Sequence, residues 1–316
     1  MLFSDLPGDE GLPGRQRRLA MIAVMMTTAM SVFDGSMVNI ALPQIAKAMQ
    51  VPAAEIVWVS NGYLLAAAMT LAIFAALATR MGFRNLFATG QVIFTLASLG
   101  CALSSDPKTL IIMRILQGIG GAATLSIGPA ILRSVFPNRL LGRILGMNAL
   151  LVASSTAIAP MLGGSLLSAM SWQWLFAINL PPGIIAVMLT VRVLPGRVQK
   201  VTERFDITGA VLSAIIPGAL IMAADSFANT NGQGFTAHSL LMAVGYAILA
   251  LLAGTAFVWC ERRASKPLLP LSIFASSRFS LAAMTSMASF VSQGITFIAL
   301  PFLFQNVYGY SAFVSA

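Results

Sequence analysis

The chain has 316 residues, of which 58% are hydrophobic and only 9% are charged, and its mean hydropathy is +0.86. This composition lies outside the range of soluble domains and predicts a polytopic membrane protein. The formal net charge of +9 does not indicate nucleic-acid binding, because the basic residues lie in short loops between apolar runs, where they encode membrane topology.

Nine apolar runs follow a polar N-terminal tail at residues 1–18, and each is long enough to cross a hydrocarbon core, which takes ~20 helical residues. The predicted spans are 19–42, 55–78, 86–104, 109–132, 144–169, 174–194, 207–224, 239–260 and 279–304. The first run exceeds the ~7 to 15 apolar residues of a signal peptide, so we expect it to remain in the protein. Pro43 predicts the end of the first span.

The distribution of basic residues predicts the orientation of these spans. Of the 19 Lys and Arg residues, 16 lie in the N-terminal tail and in the alternate loops that share its side of the membrane. The opposite loops hold only Lys47 and Lys108, and Arg114 lies inside a span. Because Lys and Arg are enriched in cytoplasmic loops, we expect the N-terminus to be cytoplasmic.

Two charged residues lie well inside predicted spans, away from the span ends: Asp34 in the first and Arg114 in the fourth. A charge at a helix centre costs ~3 kcal/mol or more, so we expect each to face a polar cavity or a partner. Gln117, Gly118 and Gly121 share a helix face with Arg114 by their spacing, which predicts close helix packing beside a polar group. An acid that faces Arg114 could take up and release a proton; the alternative is a permanent salt bridge that only locks two helices.

Polar and aromatic residues near the outer ends of the first two spans are candidates for a substrate cavity. They are Asn39, Trp58, Asn61 and Tyr63, with Gln117 from the fourth span. The aromatic residues are equally typical of the interfacial belt of membrane proteins and of a wall that stacks on a flat or cationic substrate. Asn39 is also consistent with a hydrogen bond to a neighbouring helix.

The fifth predicted span contains SSTAIAPMLGG, in which Pro160 interrupts the backbone hydrogen bonds and Gly163 and Gly164 allow close packing. This pattern predicts a bendable, closely packed helix. The chain has no HExxH or GxSxG motif and no paired carboxylates within a span, so an enzyme is not predicted. Its two cysteines and single histidine have no metal-ligand spacing, and no metal or cofactor is expected.

Several of these segments together resemble one known family. FDGSMVNIALPQI, RILQGIGGAA, APMLGG and WQWLFAINLPPG resemble the first, fourth, fifth and sixth helix motifs of the fourteen-helix drug:proton antiporter family of the major facilitator superfamily, and RFDITG and PLLPLSIF resemble its later segments. In the loop motif AALATRMG, Arg80, Gly82 and Arg84 match the family pattern, but Thr79 replaces its aspartate. In the family that acid is thought to help latch the two halves together, so this substitution puts the latch in doubt.

The resemblance implies the major facilitator fold, with about nine transmembrane helices of an expected fourteen and a chain truncated at its C-terminus relative to the family. The implied division is a tail at 1–18, an N-terminal six-helix bundle at 19–200, two inserted helices at 201–265, and the start of a C-terminal bundle at 266–316. It also implies proton-coupled export of amphipathic cationic drugs across the bacterial inner membrane, with Asp34 and Arg114 in proton coupling. The expected partners are a small-molecule substrate, protons and the lipid bilayer, without nucleic acid. Export of a metabolite or lipid, or a non-transporting fragment, are the alternatives.

Overall fold

A computed structural model describes residues 9–196, 206–228, 237–264, 271–302 and 308, and every regular element within these ranges is a helix. Eight helical segments in the described part of the chain are long and apolar enough to cross a membrane. They are Gly14–Met49, Trp58–Ala78, Phe83–Leu103, Pro107–Val135, Asn138–Ala169, Trp174–Val193, Ile207–Phe227 and Ala237–Arg263. The all-α, polytopic architecture predicted from the sequence is therefore confirmed.

The helices are α1 (Gly14–Met49), α2 (Ala53–Ile56), α3 (Trp58–Met81), α4 (Phe83–Leu103), α5 (Pro107–Val135), α6 (Leu141–Ala169), α7 (Trp174–Ala177), α8 (Leu180–Val193), α9 (Ile207–Ala228), α10 (Ala237–Arg263) and α11 (Ser277–Phe302). The first eight predicted spans each coincide with one candidate span. The ninth, at 279–304, overlaps α11, but several of its side chains lie outside those that the structure describes, and it stays a prediction. Tail residues 1–8 and parts of the RFDITG and PLLPLSIF segments also lie outside the described residues.

Helix α1 does not end at Pro43, so that prediction was wrong. The helix continues to Met49 and closes at Gln50, which has φ 56° and donates its backbone N–H to the carbonyl of Ala46. Proline removes one helical hydrogen bond, and the buried Ile45 just beyond it offsets this loss by packing in an apolar cluster with α2. At 36 residues, α1 is longer than the ~20 that cross the hydrocarbon core.

Helix α5 is central among the first spans because α1, α3 and α4 all pack against it. Glycines make this possible: a Cβ on Gly120 would lie 2.6 Å from the backbone nitrogen of Phe94 and 2.7 Å from the carbonyl oxygen of Gly90, both on α4. Helix α8 packs against α1 and α4, and α6 packs against α1. Helix α9 packs against α10 and against α3.

Two buried apolar clusters occupy opposite ends of this helix assembly. One contains Ile45, Ile56, Leu110, Trp172, Leu175 and Phe176 among others. The second contains Val24, Phe87, Ile131, Leu132, Phe136 and Ile144 among others. Along α1, Asp34 lies between residues of the second cluster and residues of the first, and Arg114 has the same relationship along α5. The membrane-embedded charges are therefore enclosed between two layers of apolar packing.

The segment that precedes α1 is bound to the far end of α5 and to the turn that follows it. Asp9 forms a two-point ion pair with Arg139, whose Nε and Nη2 donate to Oδ1 and Oδ2 at 2.8 and 2.7 Å. Arg17, which is 1% exposed, also lies 3.8 Å from Asp9 and donates from Nε to the carbonyl of Leu12 at 3.0 Å. The backbone N–H of Leu12 donates to the carbonyl of Val135 at 3.1 Å.

The loop motif after the second span forms a tight connection between α3 and α4. Gly82 has φ 86° and ψ 137°, a conformation that L-residues with a side chain rarely adopt, and it lies between the two helices. The guanidinium of Arg84 lies against Gly196, the residue that ends the described segment after α8. Arg80 is half-buried near the end of α3, and the side chain of Thr79 lies outside the described residues.

Candidate functional site

Asp34 on α1 and Arg114 on α5 form an ion pair in which Nη1 of Arg114 donates to Oδ2 of Asp34, and both side chains have 0% exposure. Taking two charges out of water costs several kcal/mol for each, which their attraction repays only when further hydrogen bonds satisfy the remaining donors and acceptors. The surrounding residues supply such bonds, as described below. The structure thus places the two charges that stood out in the sequence in direct contact.

Arg114 is held by α3 and by its own helix as well as by Asp34. Its Nε donates to the backbone carbonyl of Val59 at 2.9 Å, and its Nη1 also donates to Oε1 of Gln117 at 2.7 Å. Gln117 is one helical turn beyond Arg114, so the shared face predicted from their spacing is the one that points into the helix assembly. This geometry fixes the orientation of the Gln117 amide, because its oxygen must face the guanidinium.

Gln117 connects the ion pair to α4. Its Nε2 donates to Oδ1 of Asp34 at 2.8 Å and to Oγ of Ser98 at 2.8 Å, and both partners are fully buried. The thiol of Cys101, one turn further along α4, lies 3.7 Å from Oε1 of Gln117. Four helices, α1, α3, α4 and α5, therefore contribute polar atoms to one buried network.

The sixth span adds two side chains that the sequence analysis did not identify as site residues. Nδ2 of Asn179 donates to Oδ1 of Asp34 at 3.0 Å, and Asn179 is 3% exposed. The ring of Phe176 lies with its centroid 5.7 Å from the guanidinium carbon of Arg114. Both residues belong to the WQWLFAINLPPG segment, whose resemblance to a family motif was the one signal that pointed to this region.

Tyr63 covers the other side of Arg114. The centroid of its ring lies 4.4 Å from the guanidinium carbon, within the range of a cation–π interaction. Its hydroxyl donates weakly to the carbonyl of Ser31 at 3.5 Å. Nη2 of Arg114 has no hydrogen-bond partner among the described residues, so the aromatic rings are what compensate this part of the cation.

The remaining candidate cavity residues lie outside this buried network. Asn39 is exposed, and its Oδ1 accepts a hydrogen bond from the hydroxyl of Ser60 at 2.7 Å, which links α1 to α3. Trp58 and Asn61 are half-buried near the start of α3. Of the expected cavity residues, Tyr63 and Gln117 are therefore part of the charged network, whereas Asn39, Trp58 and Asn61 are not.

The glycines of the expected motifs mark close helix contacts. A Cβ on Gly118 would overlap with the backbone carbonyl of Tyr63, and one on Gly121 would lie 3.0 Å from its hydroxyl. Gly163 on α6 packs against Met37 of α1: a Cβ added at Gly163 would lie 3.2 Å from the Cβ atom of Met37. Gly164 is also buried, and Pro160 lies inside the continuous helix α6. These residues set the distances between the helices that carry the charges.

The fold is that of a polytopic α-helical membrane protein whose buried charged network joins five spans, the first four and the sixth. The sequence model of the family described as the Major Facilitator Superfamily matches residues 24–316 of this chain. The chain therefore belongs to the major facilitator superfamily. In the described part of the chain, no group of three or more His, Cys, Asp or Glu side chains could hold a metal ion.

Individual relatives and solved structures agree with this assignment. The chain is 38% identical to the uncharacterised transporter YebQ of Escherichia coli K12 over 96% of its own length and 65% of the relative. It is 32% identical to the tetracenomycin C resistance and export protein of Streptomyces glaucescens, over 95% of the chain and 55% of the relative. It is 29% identical to the riboflavin transporter RibZ of Clostridioides difficile, over 93% and 62%.

The crystal structure of a D-xylose–proton symporter shares the fold, with a TM-score of 0.57 at 14% identity over 94% of this chain and 64% of that one. The chain thus spans about half to two thirds of the length of the curated relatives that it matches.

Proposed function

We propose that this chain provides the proton-coupled part of an exporter that exchanges amphipathic cationic compounds for protons. The observation that carries this proposal is the fully buried ion pair between Asp34 and Arg114. Ionisable residues inside membrane spans are costly, and they usually mark ion or substrate pathways. The relative named as a tetracenomycin C resistance and export protein supports export of a toxic compound.

Asp34 takes up and releases the proton in this proposal. A proton that adds to its carboxylate cancels the negative charge and leaves the Arg114 cation without its counter-ion. An unpaired charge in a dry interior is strongly destabilising, so the protonated form favours a conformation in which Arg114 gains water or another anion. The two protonation states of Asp34 then favour two different conformations, as alternating access requires.

A cationic substrate competes with the proton for the same negative charge. In the conformation described above Asp34 has no exposure, so the substrate reaches it only after the ion pair has opened. Tyr63 and Gln117 would line the opened site, while Trp58, Asn61 and Asn39 would line its outer approach. Aromatic rings beside a carboxylate suit flat or quaternary cations, because both attract positive charge.

The division of the chain follows the same proposal: an N-terminal bundle at 19–200, two inserted helices at 201–265, and the start of a second bundle at 266–316. Contacts of α9 with α10 and with α3 support the inserted pair as a unit that leans on the first bundle. The N-terminus would lie in the cytoplasm, and the bacterial relatives support a bacterial inner membrane.

Export of a metabolite is the second candidate, and the riboflavin transporter among the relatives favours it. Riboflavin is flat and aromatic like many drugs, but it has no permanent positive charge. A site that selects its substrate through the negative charge of Asp34 should prefer a cation of similar size over riboflavin. The charge of the transported compound therefore separates the two candidates.

The test is an efflux measurement in bacterial cells that lack their own exporters. It compares the chain with a chimera in which residues 1–316 continue into the part of YebQ that follows the matched region, since the chain spans 65% of that relative. We expect gradient-driven efflux of ethidium, but not of riboflavin, from the chimera. Asp34→Asn should abolish it, whereas Asp225→Asn, the same carboxyl-to-amide change in α9, should not. Ethidium efflux by Asp34→Asn at the unmodified rate and pH dependence would refute proton coupling through Asp34, and efflux of riboflavin alone would favour the metabolite.

A further inference from the structure

The sixth span is broken where it meets the charged network. Helix α7 ends at Ala177, Ile178 and Asn179 form a turn, and α8 begins at Leu180. The backbone N–H of Asn179 donates to Phe176, three residues back, at 3.1 Å instead of continuing the α-helical pattern. Pro181 and Pro182 have no N–H, so the carbonyls of Ala177 and Ile178 have no donor four residues later. Few backbone hydrogen bonds therefore join α7 to α8 across this turn.

The side chains on both sides of the break contact opposite members of the ion pair. Asn179 donates to Oδ1 of Asp34, and the Phe176 ring faces the guanidinium of Arg114. Phe176 has 0% exposure and packs edge-on against Trp172, with 6.1 Å between ring centroids. A displacement of the turn would alter both contacts together.

Oδ1 of Asp34 accepts from two amides, those of Gln117 and Asn179, which are suited to a carboxylate and not to a carboxylic acid. When Asp34 gains a proton, it loses the charge that strengthens these hydrogen bonds, and an O–H placed on Oδ1 would face two N–H donors. A proton on Oδ1 therefore requires at least one of these amides to turn or withdraw.

Gln117 is the amide that is held in place. Its oxygen accepts from Arg114 and its nitrogen also donates to Ser98, so turning it would break two further hydrogen bonds. The hydrogen bond that the described structure assigns to the side chain of Asn179 is the one to Asp34. Asn179 is therefore the amide whose response costs least.

We propose that Asn179 is a positioning residue that transmits the protonation state of Asp34 to the break between α7 and α8. The proposal rests on the proposed proton coupling by Asp34. With Asp34 ionised, the hydrogen bond holds the turn against α1; with Asp34 protonated, the turn is released and carries Phe176 away from Arg114. The proton-dependent step of the transport cycle is then a movement of the outer end of the sixth span.

Other titratable groups face this network from the neighbouring helices: Arg114 from α5, Tyr63 from α3 and Cys101 from α4. The test must therefore report the protonation of Asp34 itself. Infrared spectroscopy of the purified 316-residue chain in lipid nanodiscs does so, because the carbonyl band of its protonated carboxyl is absent in Asp34→Asn.

Movement of the turn is measured in parallel by a distance between two spin labels, at Ser171 before α7 and at Ser105 after α4, both of which are exposed. Cys260 is replaced by serine, and Cys101 is buried from the label and stays. In the otherwise unmodified chain, we expect the distance between the two spin labels to change with pH. The midpoint of this change should equal the midpoint at which the infrared carbonyl band of protonated Asp34 appears. In Asn179→Leu, which keeps the approximate volume and removes the amide, the band should still titrate while the distance no longer follows it. Gln173→Leu, on the same segment, should behave like the unmodified chain.

The outcomes separate this inference from the proposed function. A carboxyl band that does not titrate between about pH 4 and 9 would remove the proton-coupling proposal and the inference with it. A titrating band without a distance change, or a distance change preserved in Asn179→Leu, would remove the inference alone. If Asn179→Leu does not fold, Asn179→Ala replaces it. The unmodified chain also provides a test without any variant at position 179, because the pH midpoint of the Asp34 carboxyl band and that of the spin-label distance should coincide.

Discussion

Gly118 on α5 lies directly against the backbone carbonyl of Tyr63 on α3, so that even a single methyl group at position 118 would overlap with the carbonyl oxygen. This contact brings the two helices together at the level of the charged network. It also sets the height at which the Tyr63 ring covers Arg114. The small size of residue 118 is therefore a requirement of the site and not only of the fold.

Gly118→Ala should lower the thermal midpoint of the purified chain, because overpacking a closely packed contact costs ~1 to 3 kcal/mol. The measurement is thermal unfolding in detergent, followed by circular dichroism. Gly146→Ala is the matched control, since no described atom outside the local helix backbone and the two chain neighbours lies within 4 Å of the added methyl group on α6. It should leave the midpoint unchanged or raise it slightly, because alanine favours helix over glycine. Equal midpoints for the two variants would contradict the close contact.

Removing one member of the buried ion pair should be worse than removing both. Asp34→Leu and Arg114→Leu each leave a buried charge unpaired, which typically costs ~3 to 5 kcal/mol. The double variant replaces the pair with apolar side chains and should lose much less stability than the sum of the two single variants. Chemical denaturation of the four proteins in the same detergent provides the comparison. Strict additivity would mean that the two residues do not depend on each other.

The predicted orientation can be tested by labelling single cysteines in intact cells. Asn138, between α5 and α6, and His238, at the start of α10, are both exposed. In a chain with Cys260 replaced by serine, Asn138→Cys should resist an impermeant thiol reagent while His238→Cys reacts, because positively charged loops stay in the cytoplasm. After the cells are broken, both should react. The reverse pattern in intact cells would invert the topology.

Asp106 should make the first turn of α5 sensitive to acid. It is the N-cap of the helix, and hydrogen bonds from the Thr109 side chain and from its backbone N–H, at 2.9 Å, lower the pKa of Asp106 below its usual value. The cap is therefore complete above the unfolded-chain pKa of ~3.9 and is lost as the pH falls through the lower folded pKa. At the acid end of the pH range, amide hydrogen exchange at residues 108–110 should become faster in the unmodified chain than in Asp106→Asn. A ratio between the two proteins that does not vary with pH would exclude this role.

Asp9→Asn should loosen the segment before α1 while the helices stay intact. The substitution removes the charge that pairs with Arg139 and Arg17, so faster amide exchange is expected at residues 11 and 12, of which Leu12 donates its N–H to the carbonyl of Val135. The thermal midpoint should change little, because partly exposed ion pairs contribute little to stability. Combining Asp9→Arg with Arg139→Asp should restore the slow exchange. If the double variant still shows fast amide exchange, and both single variants do too, the contact of Asp9 with Arg17 would be the important one instead.

Much of this architecture follows from local sequence properties. Eight spans could be predicted because each apolar run is long enough to cross a membrane, and Asp34 and Arg114 could be identified because a charge in such a run needs a partner. The end of α1 could not be predicted, since the packing of Ile45 beyond Pro43 is a tertiary contact. Local patterns carry no information about such contacts.

The contribution of Asn179 could not be predicted for a related reason. An asparagine before two prolines is typical of a turn, and nothing in its neighbours in sequence reports that it faces Asp34, 145 residues away. Which side of the sixth span points inward depends on the rotation of α7 and α8 about their axes. That rotation is set by packing against α1 and α4.

The ion pair between Asp9 and Arg139 also has a consequence for biosynthesis. The two residues are 130 positions apart, and at a synthesis rate of ~5 to 20 residues per second Asp9 leaves the ribosome on the order of ten seconds before its partner exists. During that interval the predicted role of the tail's basic residues in orienting the first span would be carried out while Arg139 is still missing. The tail can be bound into place only after the fourth span has been made. Arg17, one of the tail charges that the predicted topology uses for orientation, thus also takes part in a structural contact in the finished protein.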